Sequence, residues 1–224
     1  MRAKRQQAIV LLDDLAESTF LDMFNSHYSE ATINLGDHLT FITSGGRGWA
    51  TYYSDAGSRF IRSLDVRMNE ISHKDAAYVT PPNNAEAKRT KVKSGDVLLT
   101  ITGSLIGRVA PVFSNLEGSY ISQHVAILRP DATMLDPGFL AFFLSLPGGG
   151  QRQISQLQYG QTKPGLNFEQ IRGMKIPLPP IELQQSFQEK LRMIKSIAAS
   201  HREQLAILDA LFASLLERAF RNEL

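Results

Sequence analysis

The sequence predicts an α+β fold: a mixed α/β middle domain followed by a long coiled-coil helix. Three observations point there. From Phe187 onward, apolar positions recur in steps of four and three for almost five heptads. Between residues 31 and 179 that period gives way to short β-rich runs punctuated by glycine and proline. The 224 residues carry 43% hydrophobic and 21% charged side chains, the composition of a folded chain and not of a disordered one.

The expected boundaries are a helical spacer segment at 1–30, a globular domain at 31–179 and a long spacer helix at 180–224. The first segment repeats part of the last. Leu11–Ser18 aligns with Ile207–Ser214, and carried on to Phe24 over Phe220, five of fourteen positions are identical. Asp13/Asp209 and Ser18/Ser214 match away from the apolar seam, so the match is more than shared helical period. A globular unit flanked by two copies of one helical spacer is the organisation this implies.

In the middle, Leu39–Thr43 and Phe60–Leu64 read as short strands, with Ser44-Gly45-Gly46-Arg47-Gly48 a loop between them. Val97–Thr102 and Ile106–Val112 read as a hairpin about Gly103-Ser104. Tyr120–Leu128 reads as one further strand. Pro137 opens an apolar helix that ends before Gly148-Gly149-Gly150. Asn167 caps a short helix, with Gln170 three residues on as in a capping box. Ile176-Pro177-Leu178-Pro179-Pro180 is a stiff extended joint, and Pro180 can open the last helix.

That last helix would be roughly 60 Å long at 1.5 Å per residue. One seam position holds Phe187, Ile194, His201, Leu208 and Leu215; the other holds Leu191, Ala198, Leu205, Phe212 and Ala219. A seam this long needs a partner helix, from the same chain or another. The simplest expectation is a second copy of the chain, giving a homodimer. His201 is the one polar seam residue: either a register device or a tolerated contact at the seam edge.

Composition narrows the chemistry. Cysteine is absent, which excludes a disulfide framework, a thiolate zinc site and a cysteine nucleophile and fits a reducing compartment. No apolar run approaches the ~18 residues of a membrane span. Met1–Gln7 is basic and polar, with no signal-peptide core behind it. A soluble, cytoplasmic protein without a membrane partner is expected. Net charge is +2, but residues 41–175 hold fifteen basic and ten acidic side chains while residues 1–40 hold three and six. The positive excess in the middle suits an anionic partner such as nucleic acid.

The ordered set Gly95–Thr100, Gly103–Arg108, Gly160-Gln161-Thr162, Leu166-Asn167, the proline joint and Glu182-Leu183-Gln184-Gln185 resembles the specificity subunit of type I restriction–modification systems. The resemblance covers nearly the whole chain. It implies a non-catalytic subunit whose recognition domains each read one half of a bipartite double-stranded DNA site. It also implies spacers that pair as an antiparallel coiled coil and dock the modification subunits, with a restriction subunit joining the complex. No cofactor is then expected in this chain: S-adenosylmethionine, used to methylate adenine, belongs to the modification subunit, and ATP and Mg to the restriction subunit. The chain departs from the usual plan in having one recognition domain, and so resembles a half-length form. A two-fold dimer would then read a split, inverted-repeat site.

Candidate DNA-contacting residues lie on the loops and the basic run. Arg47 can fork onto guanine, and Trp49 can either stack on DNA or fold onto the core. Lys88, Arg89 and Lys91 suit phosphates, or a solvated edge. Thr102, Ser104 and Arg108 flank the hairpin turn. Gln123 and His124 can read bases or sit as satisfied interior groups. Gln161 and Lys163 lie on a later loop, and Arg62 can contact DNA or pair with Asp65. The expected helix interface is Phe187, Leu191, Ile194, His201, Leu205, Leu208, Phe212 and Leu215.

Rival readings are weaker. The Gly103–Arg108 segment lacks the lysine–hydroxyl ending of a phosphate loop, and the five histidines lack metal-ligand spacing. No helix-turn-helix or basic region marks a transcription regulator. A coiled-coil adaptor that reads no DNA, or a truncated fragment competing with a full-length subunit, remain as alternatives.

Overall fold

The structure is a computed structural model that describes residues 2–30, 32–158 and 164–221. The chain divides into a helical unit, Met1–Ser26 with Ser186–Leu224, and a globular unit, His27–Gln185.

In chain order the globular unit follows helix α1 (Arg2–Glu30) with strands β1 (Thr32–Asn34), β2 (Leu39–Ser44), β3 (Tyr53–Ser54), β4 (Ser58–Ile61), β5 (Val66–Arg67), β6 (Glu70–Ile71) and β7 (Ala77–Val79). Helix α2 (Ala85–Thr90) precedes β8 (Val97–Thr100), β9 (Val109–Pro111), β10 (Tyr120–Ile121) and β11 (Val125–Pro130). Helices α3 (Pro137–Ser145), α4 (Arg152–Gln158) and α5 (Phe168–Arg172), strand β12 (Lys175–Pro177) and helix α6 (Ile181–Phe220) complete the chain.

The main sheet runs β2-β11-β8-β9, antiparallel throughout. β8 and most of β11 are buried on both faces, so they read as continuous apolar runs without alternation. The second sheet runs β10-β4-β7-β3. The expected Tyr120–Leu128 strand is in fact two. β10 lies parallel to β4 in the second sheet, and β11 lies antiparallel to β2 and β8 in the main one. A tight turn between them is closed by the Val125 amide donating to the Ser122 carbonyl at 3.0 Å. The physical reason is the sheet change. A single strand would place Gln123 and His124 on opposite faces and bury one of them, whereas the turn exposes both.

Capping follows the sequence. Asp136 accepts from the Phe139 amide at 2.8 Å ahead of Pro137, and Asn167 and Gln170 form the reciprocal capping box. β1 and β12 pair antiparallel, Thr32 opposite Pro177, so the two ends of the globular unit are tied together. Gln184, fully buried in the first turn of α6, ties that turn to the segment before α3. Its carbonyl accepts from the Asp136 amide at 2.8 Å, and its amide donates to the Pro179 and Met134 carbonyls at 2.8 and 3.0 Å.

In the helical unit, α1 and α6 run antiparallel. Arg2 pairs with Asp209 at 2.5 Å, Arg5 hydrogen-bonds Gln204, and Arg202 faces Asp13 at 3.7 Å. Phe20, Phe24 and Phe187 form a closed aromatic cluster, with ring centroids 4.7 to 5.7 Å apart. Of the two partners the sequence left open for the seam, the same-chain one is formed: α1 lies along α6. Phe187 and Leu191 are buried; Ile194, His201, Leu205 and Leu208 are half-buried. Phe212 and Leu215, expected in the seam, are 50% and 42% exposed.

The Gln184 hydrogen bonds carry a stability prediction. Gln184→Met keeps the volume but strands one buried N–H and two carbonyls, at about 1–3 kcal/mol per unsatisfied group when unrelieved. Urea unfolding is expected to show a loss of about 2–4 kcal/mol; a loss below about 0.5 kcal/mol would contradict this role for Gln184.

Candidate nucleic-acid interface

Three loops leave the main sheet at one end. Register fixes this: Ser44, the last residue of β2, lies opposite Ala126; Val125, the first of β11, lies opposite Thr100; and Leu99 lies opposite Val109. The segments after β2, before β11 and between β8 and β9 therefore converge.

The first loop, Ser44–Gly48, is built from below. A Cβ on Gly45 would run into the Ile121 carbonyl and the Ser122 backbone, and one on Gly46 would strike the Glu86 carboxylate. Only glycine lets the backbone pass this close. Arg89 donates to the Ser44 carbonyl at 2.9 Å and also to the Thr43 hydroxyl. Trp49 is 4% exposed. Its indole N–H donates to Glu86 Oε1 at 2.6 Å, and its ring stacks on Phe60 at 5.4 Å between Tyr52 and Tyr120. That corrects Trp49 as a DNA-stacking residue: it anchors the loop to the core. Arg47 stands exposed at the tip, with no hydrogen-bond or carboxylate partner among the described residues.

The second loop carries Gln123 and His124, both exposed. His124 Nδ1 lies 2.5 Å from Thr102 Oγ1, and His124 Nε2 lies 3.2 Å from Gln123 Nε2. Both ring nitrogens of His124 are thereby engaged, one with each neighbour. The structure thus brings Thr102, Gln123 and His124 into one hydrogen-bonded row.

The third loop, Ile101–Arg108, is held from behind. The Ile101 amide donates to the His124 carbonyl at 2.9 Å, and the Gly107 amide to the Thr100 carbonyl at 3.0 Å. Gln151 Nε2 reaches both the Gly107 and the Leu144 carbonyls, at 2.9 and 2.7 Å. Ser104 is exposed and Arg108 half-buried. Thr102 also bridges to Gly165, and the Leu166 amide donates to the Ile101 carbonyl. Gln161 and Lys163 lie outside the described residues.

Arg62 does not belong to this surface. Its Nε and Nη2 grip both oxygens of the fully buried Asp65 at 3.0 and 2.9 Å, and Nη2 also donates to the Asp75 carbonyl at 2.7 Å. The hydrogen bond to Asp65 raises the Arg62 pKa further above its ordinary value. Of the two readings the sequence left open, the ion pair is the one formed. Lys88, Arg89 and Lys91 lie beside the interface, on and just after α2, and Lys88 and Lys91 are exposed with no carboxylate partner among the described residues. Sequence reading missed Glu86 and Gln151, whose roles depend on non-local contacts. Among the described residues no group of histidines and carboxylates could hold a metal ion, and no helix is long and apolar enough to cross a membrane.

The comparisons with known proteins agree with one another. The type I restriction modification DNA specificity domain family matches residues 55–208. The EcoBI type I restriction enzyme specificity subunit of Escherichia coli is 30% identical over 172 residues, 75% of this chain and 36% of that protein. The MjaVIII specificity subunit of Methanocaldococcus jannaschii is 26% identical over 155 residues, 68% of this chain and 36% of that protein. The chain thus spans about a third of the length of these curated relatives. Among solved structures, the HsdS subunit of Thermoanaerobacter tengcongensis superposes with a TM-score of 0.62 at 19% identity, over all of this chain and 54% of that one. The type I system S subunit of M. genitalium gives 0.65 at 13% identity, over 97% and 56%. These two establish the fold, sheets and long helix included. With more than half of its length matched by the family pattern, this chain belongs to the type I restriction modification DNA specificity domain family.

Proposed function

We propose that the chain reads one half-site of a bipartite double-stranded DNA sequence and directs adenine methylation and restriction there, without catalysing either. The observation that carries this reading is the convergence of three backbone-pinned loops at one end of the main sheet. They present Arg47, Thr102, Ser104 and Gln123, whose outward polar groups suit base edges, with His124 joining Thr102 to Gln123. The pinning matters because a loop backbone that is already ordered loses little entropy on binding.

The proposed partners are modification subunits holding S-adenosylmethionine and, through the assembled complex, a restriction subunit using ATP and Mg. A second copy of this chain is proposed to supply the other half-site. Its support lies on α6. Ile207, Leu211, Leu215 and Leu216 are 42–61% exposed although α1 covers the earlier seam. Phe220, aligned with the buried Phe24, is 87% exposed. Apolar side chains spaced like this along one helix normally face another helix. Two copies related by a two-fold axis would read an inverted repeat.

The direct test is a methylome. Expressed with its modification subunit in a methylation-free host, the chain is expected to yield methyladenine in a split, inverted-repeat sequence; two unrelated half-sites, with this as the sole specificity chain, would refute the two-copy reading. For base reading, Arg47→Ala is expected to weaken binding to that site about 5- to 150-fold, the 1–3 kcal/mol of one well-read pair, and to relax selectivity at one position. A uniform loss across all sequences would instead make Arg47 a phosphate contact. For assembly, the double variant Leu211→Glu/Leu215→Glu is expected to halve the mass seen by light scattering; an unaltered dimer would place the interface elsewhere.

A further inference from the structure

Beside the converging loops lies a concavity of about 550 Å³ whose charge the reading loops do not use. Its walls carry Lys88, Arg89, Lys91, Lys93 and Arg129, and Phe41 lies on its floor. Glu117 is the single acid among its lining residues. One of these cations is neutralised: Arg129 makes a two-pronged pair with the fully buried Asp96, at 2.6 and 2.9 Å, and lies over the Phe41 ring at 5.0 Å. The others are not. Arg89 binds only neutral oxygens, and Lys88, Lys91 and Lys93 have no carboxylate within salt-bridge distance among the described residues. Against one glutamate, four uncompensated cations remain.

The lysines are also mounted on a fixed rail. Val92 is 1% exposed and points into the core, so Lys91 and Lys93 emerge together on the other face. The backbone between them is bonded on both sides. Lys91 bridges to Tyr120, the Val92 amide donates to the Ser119 carbonyl at 2.8 Å, and the Lys93 amide donates to Asp96 Oδ2 at 2.7 Å. Two residues apart in an extended segment, their Cα atoms stand about 6.6 Å apart. The wall of the groove is joined to the first reading loop, since Arg89 holds the Ser44 carbonyl at its root.

We propose that this groove is a phosphate track: Lys91 and Lys93 take neighbouring phosphodiesters of the duplex that flanks the bases read by the loops. The proposal rests on the DNA-reading function and divides the labour within it. The loop end supplies discrimination, and the groove supplies sequence-independent affinity through release of counterions. Lys93 is the added contact; Asp96 and Phe41 are positioning residues that hold Arg129 and the Lys93 backbone in place.

The test is the salt dependence of binding to a mixed-sequence duplex, which needs no knowledge of the target. For the full chain, log affinity is expected to fall linearly with log salt. In Lys91→Gln/Lys93→Gln the slope should be shallower by about 1.8, at about 0.9 per phosphate contact, so that raising salt from about 50 to 200 mM costs the variant about tenfold less than the wild type. Both lysines are exposed, so the variant should fold; Lys91→Glu/Lys93→Glu, which should weaken binding further, provides a second reading. An unchanged slope overturns the phosphate track. If inorganic phosphate alone then binds the wild-type groove by calorimetry and not the variant, the site serves a free anion and not DNA. Failure of the wild-type chain to bind any duplex overturns the DNA-reading function itself, a result distinct from either.

Discussion

The antiparallel pairing of β1 with β12 is the constraint on which the rest of the structure depends. It places Thr32 opposite Pro177, so the chain enters and leaves the globular unit at neighbouring points. The Leu35 amide donating to the Met174 carbonyl at 2.8 Å and the Lys175 ammonium donating to Asn34 Oδ1 at 2.8 Å extend the closure. Gln153 holds both the amide and the carbonyl of Lys175 at 2.7 Å. A domain whose ends are tied in this way can be inserted between two helices without interrupting their pairing. Within the helical unit α1 and α6 run antiparallel, Arg2 with Asp209 and Phe20 with Phe187. Gln184 shows how much the joint is worth to the fold. A fully buried amide meeting three backbone groups is tolerable only where all its bonds are made.

Within the globular unit, polar side chains divide into those committed to the protein and those left outward. Asp65 with Arg59 and Arg62, Asp96 with Arg129, and Glu86 with Trp49 are committed. Each fixes a loop or a strand end, and removing one partner of the two buried ion pairs would cost several kcal/mol. Arg47, Ser104, Gln123 and the lysines after α2 are exposed. The first group makes the second usable: Glu86 and Arg89 hold the root and underside of the Ser44–Gly48 loop, so Arg47 is carried on a backbone that is already ordered.

Much of this architecture is legible in the sequence because it depends on local chemistry. The heptad steps from Phe187, the capping box at Asn167 and Gln170, and the turn at Gly103 each need only neighbours within a few residues. The residues that the sequence leaves ambiguous are those whose fate is set by distant partners. Trp49 had a core reading and a DNA reading, and Glu86, thirty-seven positions away, decides between them. Tyr120–Leu128 looks like one strand because its apolar residues run on across Ser122–His124; only the pairing of β10 with β4 and of β11 with β8 shows the break. The intrachain partner of the last helix was hinted at by the match of Leu11–Phe24 to Ile207–Phe220. That match marks kinship between the spacers, but not that one folds back on the other.

The distribution of charge then follows from burial. A buried acid must be paired, so Asp65 and Asp96 each draw arginines to themselves, and those cations contribute little to the field outside. Lys88, Lys91 and Lys93 meet the opposite condition. Their ammonium groups are strongly hydrated and remain at the surface, where no fold-stabilising contact fixes their position. The middle domain's positive excess is therefore expressed along the Lys88–Lys93 run, beside the three converging loops. Arginine serves both as structural counter-ion and, at Arg47, as an outward fork, whereas lysine here supplies unpaired surface charge. The buried pairs and the outward side chains are thus separate sets, so a change at a loop tip need not disturb the contacts that hold the fold.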